Sequence, residues 1–258
     1  MTTIEIRALY DEYERRNADY PGYRREETDK TVRMVNDDED GHNYLVYSSL
    51  SHEGAEAAID GELAYFRGLR RSFEWKLYSH DEPADLKARL AARGFSIGED
   101  EAIMALELAE LPPELAADNR IDARRVSDEE GLAAYAALDA LVWPDDHEEC
   151  MRELTRTFRE EPGRQSLWLA SIDGVPACAA RIDFPPRSPF ASLWGGATLE
   201  AYRGRGAYTA LLAARAKEAL ARGYRFLTID ASPMSRPIVA RRGFRLLSVS
   251  NPCDSPPE

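Results

Sequence analysis

Residues 193–206 read LWGGATLEAYRGRG and join two different hydrophobic patterns. Before Thr198 the residues are apolar or small, which is typical of a buried strand. After residue 206, apolar side chains recur at helical spacing as far as Arg222. Between the two patterns, residues 203–206 alternate arginine with glycine. The stretch therefore predicts a strand, a glycine-rich turn and a helix.

The predicted turn and the start of the helix suit a phosphate group. Glycines let the backbone approach a ligand closely, and the first amides of a helix have no acceptor within it. These amides and the helix dipole attract anions, while Arg203 and Arg205 add positive charge. The alternative is a solvated basic turn. The dinucleotide fingerprint and the P-loop both need residues that this stretch lacks.

Two further segments follow the helix without a gap. Residues 226–231, FLTIDA, read as a second buried strand. Residues 232–242 read as a short helix that ends at Gly243, and Phe244 follows. The order of elements is therefore strand, turn, helix, strand, short helix and Gly-Phe.

This arrangement resembles the GCN5-related N-acetyltransferase (GNAT) superfamily over residues 187–247. The coenzyme A loop of that family reads Gln/Arg-x-x-Gly-x-Gly/Ala, and Arg203 and Gly206 match it. Tyr208 stands where the family usually has Gly or Ala. Ser232 replaces the usual Asn of a later family motif, and its spacing to Gly243 fits without a gap.

The resemblance implies that acetyl-CoA is the acyl donor, held by strand amides and by the loop. The cofactor-binding residues that it implies are Ala197, Thr198, Leu199, Arg203, Gly204, Arg205, Gly206, Ala207, Tyr208, Ser232 and Ser235.

The two catalytic side chains most common in the family are missing at their expected positions. Val239 stands where many members have a Tyr that acts as the general acid. Glycines 195–196 stand where many have a Glu that acts as the general base. An amine with a lowered pKa, or a water held by Asp183, Asp230 or Ser235, could replace them. The simpler interpretations are a surface carboxylate for Asp183 and helix caps for Asp230 and Ser235. Trp194 is the preferred residue of the substrate pocket. The two glycines could instead leave room for a bulky substrate.

A short internal repeat suggests a domain duplication. Residues 91–95, AARGF, resemble residues 240–244, ARRGF, and each follows a strand, a turn and a short helix. We therefore expect an α/β fold of two tandem GNAT-like domains, each with a mixed, mostly antiparallel sheet flanked by helices. The predicted boundaries are 1–110 for a degenerate N-terminal domain, 111–120 for a linker, and 121–258 for the acetyltransferase domain.

Five shorter segments carry local predictions of their own. Residues 19–29 are predicted as a loop, and residues 51–69 as a helix with Ser51 as N-cap. The acidic turn at residues 37–41 is predicted as a solvated hairpin tip in preference to a metal site. Residues 102–108 are predicted to form a strand that pairs with the sheet of the second domain. The polar, Pro-rich residues 251–258 are predicted to fray.

Composition limits the other classes of function. The chain has 258 residues and a formal net charge of −13, which argues against nucleic acid or an anionic membrane as the main partner. Three widely spaced cysteines and four scattered histidines predict neither disulfides nor a metal site. We expect a cytoplasmic protein that is a monomer or a homodimer.

Two hypotheses about function follow from the resemblance. The first is an acetyl-CoA-dependent N-acetyltransferase whose C-terminal domain acetylates an amine of a small molecule or peptide. The second is a non-catalytic GNAT-fold module that binds coenzyme A as a structural or sensing ligand. The missing Tyr and Glu favour the second, whereas the loop is common to both.

Overall fold

The computed structural model describes residues 1–117, 120–144 and 147–257. In chain order the elements are α1 (Thr3–Tyr10), β1 (Tyr23–Glu27), β2 (Thr31–Asn36), β3 (Tyr44–Ser48), α2 (Ala55–Leu69), β4 (Glu74–Tyr78), α3 (Leu86–Ala92), β5 (Ser96–Ile97), β6 (Glu101–Glu107), α4 (Pro113–Ala116), β7 (Asp122–Arg125), α5 (Glu129–Val142), α6 (His147–Glu160), β8 (Gln165–Ile172), β9 (Val175–Asp183), β10 (Phe190–Thr198), α7 (Ala207–Ala221), β11 (Phe226–Ala231), α8 (Arg236–Ala240) and β12 (Arg245–Asp254).

The chain forms two compact units that are not continuous in sequence. Unit 1 comprises Met1–Met104, Ala231–Pro237 and Leu246–Glu258, and unit 2 comprises Ala105–Asp230 and Ile238–Arg245. Unit 1 thus includes two segments from the C-terminal half of the chain. The predicted boundaries instead divide the chain only at 111–120. Those boundaries stay a prediction.

In unit 1 the strand order is β1-β2-β3-β4-β12, and β5 also pairs with β12. Strands β3 and β4 run parallel, whereas the β1–β2, β2–β3 and β4–β12 pairs are antiparallel. One face of this sheet packs into a core that includes Phe66 of α2, Trp75 of β4 and Cys253 of β12. Because Trp75 and Cys253 are fully buried, the ends of their strands are firmly placed.

In unit 2 the strand order is β11-β10-β9-β8-β7, with β10 and β11 parallel and the remaining pairs antiparallel. One face carries Leu167 and Ala197 and packs against α5 and α6. The opposite face carries Cys178 and packs against α7, where Ala207 and Leu211 are buried. Strand β10 and helix α7, which flank the glycine-rich turn, therefore belong to adjacent layers of the same packed unit.

Strand β6 confirms the predicted pairing of residues 102–108. The strand order places β6 beside β11, and just after β6 the amide of Leu108 donates to the carbonyl of Arg225 at 2.8 Å. Its residues from Ala105 onward belong to unit 2. The apolar sequence of this strand is buried on both faces, from Ala102 to Leu106.

Three local predictions were wrong. The polar segment predicted as a loop at 19–29 contains β1, because pairing with β2 supplies backbone hydrogen bonds that the sequence pattern does not show. Helix α2 begins at Ala55 with Gly54 as N-cap, and the Ser51 hydroxyl instead accepts from the Gly54 amide at 3.1 Å. Residues 251–254 do not fray, because they continue β12 against β4.

Among the residues that the structure describes, no helix combines the length and the apolar character needed to cross a membrane.

Candidate active site

Strand β10 carries a bulge at Gly195 and Gly196. Trp194 pairs with Arg181 and Ala197 pairs with Ala179, so three steps along β10 match two steps along β9. Gly195 has a φ of 59°, a conformation that suits a glycine in a bulge. The bulge bends the strand just before the residues predicted to bind the cofactor.

At the bulge, β10 is no longer paired with its parallel neighbour β11. The pairing of β10 with β11 runs from Phe190 opposite Phe226 to Leu193 opposite Ile229 and ends there. Strand β10 continues to Thr198, still paired on its other side with β9. The backbone groups of this last part therefore face a gap between strands, where an extended ligand can bind as an added strand.

The space beside the two glycines is taken by two tyrosines. A Cβ on Gly195 would lie 3.1 Å from the hydroxyl oxygen of Tyr135, and a Cβ on Gly196 would lie 3.0 Å from a ring carbon of Tyr208. The expectation that the glycines leave room for a bulky substrate is therefore wrong. Their missing side chains let Tyr135 of α5 and Tyr208 of α7 approach the strand from opposite faces.

The turn after β10 has the backbone that the sequence predicts. Gly204 and Gly206 have φ values of 74° and 90°, which residues with a Cβ adopt only under strain. Helix α7 begins at Ala207, and its N-cap, Gly206, makes no side-chain cap. The first amides of α7 therefore have no intrahelical acceptor and receive no capping oxygen from Gly206, which suits an anion-binding helix start.

The two arginines of the turn are exposed but differ in their contacts. The Nε of Arg203 donates to the Thr198 carbonyl at 3.4 Å, which holds this side chain near the end of β10. Arg205 is paired at 2.8 Å with Asp173 in the β8–β9 turn, and its guanidinium lies 5.4 Å from the Tyr202 ring centre. Arg203 is therefore the better placed of the two for a phosphate.

The three predicted strand residues next to the turn have different surroundings. Ala197 is buried in the core beneath α5, and Leu199 packs at its edge. The hydroxyl of Thr198 lies 3.1 Å from the Cys178 sulfur on the opposite face. Their side chains thus fix the strand, which leaves the backbone to meet a ligand.

The face of β9 and β10 beneath α5 and α6 carries a group of polar side chains. The guanidinium of Arg181 lies 5.9 Å from the Trp194 ring centre and donates to the Cys150 sulfur at 3.6 Å. Its Nε lies 3.6 Å from the Asp183 carboxylate. Trp194 is 38 % exposed, so this group reaches the surface.

Burial shifts the pKa of several groups on this face. It raises the pKa of the Asp183 carboxyl above its usual range, and Arg181 and Arg164 oppose the shift. Burial also raises the pKa of the Tyr135 hydroxyl and of the Cys150 thiol, although Arg181 opposes both shifts. The Asp183 carboxyl is thus more basic than an ordinary aspartate, while Tyr135 stays protonated at neutral pH.

Ser232 and Ser235 lie in a segment that belongs to unit 1. The Ser235 amide donates to the Ser232 carbonyl at 3.0 Å, and the two hydroxyls lie 3.2 Å apart. The serines thus form a local turn before α8. Their predicted cofactor contacts, and the catalytic role of Ser235, stay predictions.

The sequence alone does not identify Tyr135, Cys150 and Arg181 as residues of this site. Tyr135 and Cys150 lie on helices that are distant in sequence from residues 193–206. Arg181 has no feature in the sequence that distinguishes it from other polar residues of strands. One signal was available: alternation along β9 places Arg181 and Asp183 on the same face.

The sequence from residue 132 to residue 244 matches the model of the acetyltransferase (GNAT) family. This segment belongs to the GNAT superfamily. It contains the bulged strand, the glycine-rich turn and helix α7, and the resemblance seen in the sequence is confirmed.

Solved structures with the same fold cover nearly the whole chain. A GCN5-related N-acetyltransferase from Kribbella flavida is 18% identical, with 98% of this chain and 95% of that chain covered and a TM-score of 0.69. A functionally unknown protein from Staphylococcus epidermidis ATCC 12228 is 13% identical, with 93% and 96% covered and a TM-score of 0.72. A tandem GNAT protein from the clavulanic acid biosynthesis pathway is 14% identical, with 93% and 85% covered and a TM-score of 0.62.

These similarities establish the fold, and the expected class of tandem GNAT-like domains with mixed sheets is confirmed. No curated protein matches the sequence. The family match supports acetyl transfer in general.

Proposed function

We propose that unit 2 transfers an acetyl group from acetyl-CoA to an amine of a small molecule or peptide. The observation that carries this proposal is the open edge of β10 beyond Leu193, followed directly by the uncapped start of α7. An extended pantetheine arm fits the open edge, and a pyrophosphate fits the helix start. The residues present therefore suit acetyl-CoA.

The turn and the strand bind different parts of acetyl-CoA. Arg203 and the first amides of α7 bind the pyrophosphate, since charge-assisted hydrogen bonds favour an anion there. The backbone of residues 197–199 pairs with the pantetheine arm. Gly204 and Gly206 allow the close approach, and Arg205 contributes less because Asp173 already pairs with it.

The acceptor amine binds on the face of β9 and β10 that carries Asp183 and Trp194. In the reaction, the amine nitrogen forms a bond to the acetyl carbon and the bond from that carbon to sulfur breaks. Asp183 takes the proton from the amine through a water, since its raised pKa makes it a better base than an ordinary aspartate. The hydroxyl of Tyr135 beside Gly195 supplies a hydrogen bond at the bulge, and the thiolate leaves with a proton from solvent.

A second candidate function is a GNAT-fold module that binds coenzyme A without turnover. It is favoured by the side chains at the positions that supply the acid and base in many members: Val239 is fully buried and glycines 195–196 carry no side chain. Cytoplasmic location and a monomeric or homodimeric state also stay predictions.

Calorimetry with acetyl-CoA, followed by a thiol-release assay over a panel of amines and aminoglycosides, tests the proposal. We expect saturable binding and release of coenzyme A with at least one acceptor. Binding without turnover of any acceptor would favour the non-catalytic module. If no binding is detected at submillimolar acetyl-CoA, both functions are rejected.

A further inference from the structure

Three adjacent strands of the unit 1 sheet bring residues that are distant in sequence onto one face. Glu74 of β4 pairs with Tyr44 of β3 on one side and with Asp254 of β12 on the other. Paired residues point to the same face of a sheet, so these three positions form a row across three strands. His42 lies two residues before Tyr44, just outside β3, and its side chain reaches the acidic members of this row.

The side chains of His42, Glu74 and Asp254 are close enough to share an ion. One ligand atom from each residue lies within 4.8 Å of the others, and we call this group the His42 cluster. The Nε2 atom of His42 lies 3.7 Å from a Glu74 oxygen. The imidazole also lies against the Tyr44 ring, with 4.7 Å between ring centres, which limits its orientation.

The backbone around the His42 cluster is fixed by hydrogen bonds. The Glu74 amide donates to the Asn43 carbonyl at 2.8 Å, which holds the residue after His42 beside β4. The Ser255 amide donates to the Phe73 carbonyl at 2.9 Å, and the Phe73 amide donates to the Ser255 hydroxyl at 3.0 Å. The backbone at all three positions is therefore held in place before any ion binds.

The electrostatics of the cluster favour a cation. Glu74 and Asp254 lie directly opposite each other on antiparallel strands, and like charges in such a pair are destabilising. The exposed acidic residues 37–40 precede His42 and add negative charge nearby. A bound cation would neutralise this repulsion, whereas burial of Trp75 and Cys253 prevents the strands from moving apart.

We propose that the His42 cluster binds a first-row divalent metal ion of the zinc class. The donor set is one imidazole nitrogen and two carboxylates, and imidazole favours zinc and its neighbours over magnesium or calcium. Zinc bonds of about 2.0–2.2 Å place ligand atoms about 3.4 Å apart, so small side-chain rotations close the site. The ion would join the segment after β2 and the end of β12 to β4.

The three residues have no metal-ligand spacing in the sequence because His42 lies after β2 and the two carboxylates lie on separate strands. The acidic turn was predicted as a solvated tip, and it stays so here, since the proposed ligands lie beside it. This site is independent of the proposed acetyl transfer.

Titration of the chelator-treated full chain with zinc chloride in a calorimeter tests the proposal, with magnesium chloride as a parallel titrant. We expect one zinc ion per chain and at least tenfold tighter binding than magnesium. Glu74→Gln and Asp254→Asn should each weaken this zinc binding at least tenfold. Glu39→Gln, which removes one charge from the acidic turn, is the matched control and should bind zinc as the original protein does.

Thermal unfolding of the same proteins with and without zinc gives a second measure of zinc binding. Zinc should raise the unfolding temperature of the original protein and of Glu39→Gln, but not of Asp254→Asn. If Glu74→Gln does not fold, the half-exposed His42 is replaced instead, and His42→Gln should show the same loss. Zinc binding that persists in Asp254→Asn and His42→Gln would overturn the proposal, as would the absence of saturable zinc binding in the original protein.

Discussion

Alanine substitution of two glycines can separate a ligand-binding role of the turn from backbone strain. Gly206 at the start of α7 has a φ of 90°, and Gly223 after the end of α7 has a φ of 85°. Within the part of the chain that the structure describes, a Cβ on Gly223 would meet no atom within 4 Å, whereas a Cβ on Gly206 would lie 3.3 Å from Ile121. Gly223→Ala is therefore a control for the strain in Gly206→Ala.

The expected stability loss is similar for the two variants. An alanine forced into the left-handed region costs about 1–2 kcal/mol. The contact of 3.3 Å with Ile121 is closed by a shift of a few tenths of an ångström at the end of a flexible side chain, so it adds little. Both variants should fold and unfold at similarly lowered temperatures.

Acetyl-CoA affinity should separate them. Gly206→Ala places a methyl group where the backbone is proposed to meet the pyrophosphate, so binding should weaken by about tenfold or more, which is about 1.4 kcal/mol. Gly223→Ala should bind normally. Arg203→Ala should lose about 1.5–3 kcal/mol, the range for a hydrogen bond to a charged group. Arg187→Ala, an exposed arginine outside the turn, is its control.

Isothermal calorimetry with acetyl-CoA and thermal unfolding of the same preparations give both quantities. If Gly206→Ala binds as tightly as Gly223→Ala, and Arg203→Ala as tightly as Arg187→Ala, the turn is not the phosphate site. Acetyl-CoA binding by the original protein would then need another location.

Two further predictions concern the strand and the proposed base. Gly196→Ala should lower the free energy of unfolding by about 1–3 kcal/mol, because its Cβ would lie 3.0 Å from the Tyr208 ring. In a Tyr208→Ala background the same substitution should cost less in denaturant unfolding, and equal costs would mean that the ring is not the obstacle. For the proposed reaction, kcat/KM should rise with pH through the pKa of Asp183, because only the carboxylate accepts a proton and burial raises that pKa. Asp183→Asn should remove this acidic limb while acetyl-CoA binding persists; a limb that survives the substitution assigns the proton transfer to another group.

Much of the local structure around the turn could be predicted because it depends on neighbours in sequence. The helix was expected to follow residue 206, and α7 begins at Ala207. Strand β11 has the predicted bounds, Phe226–Ala231. The positive φ values at Gly204 and Gly206 follow from the same local chemistry, since few other residues adopt them.

Other features could not be predicted because their partners are distant in sequence. The segment YRREE forms β1 only because β2 pairs with it. The end of β12 is ordered against β4, although its composition resembles a frayed tail. Periodicity describes how a segment presents its own side chains, whereas pairing depends on which backbone lies beside it.

The sequence by itself determined the strand, turn and helix of residues 193–222, the GNAT resemblance and the order of the elements from β10 to α8. It could do so because glycine conformation, helix starts and apolar periodicity are properties of short segments. Only the tertiary structure showed that Tyr135 and Tyr208 fill the space beside Gly195 and Gly196. The same holds for the His42 cluster, whose members come from separate segments. Such groupings are set by strand register and helix packing, which bring together side chains that no local pattern relates.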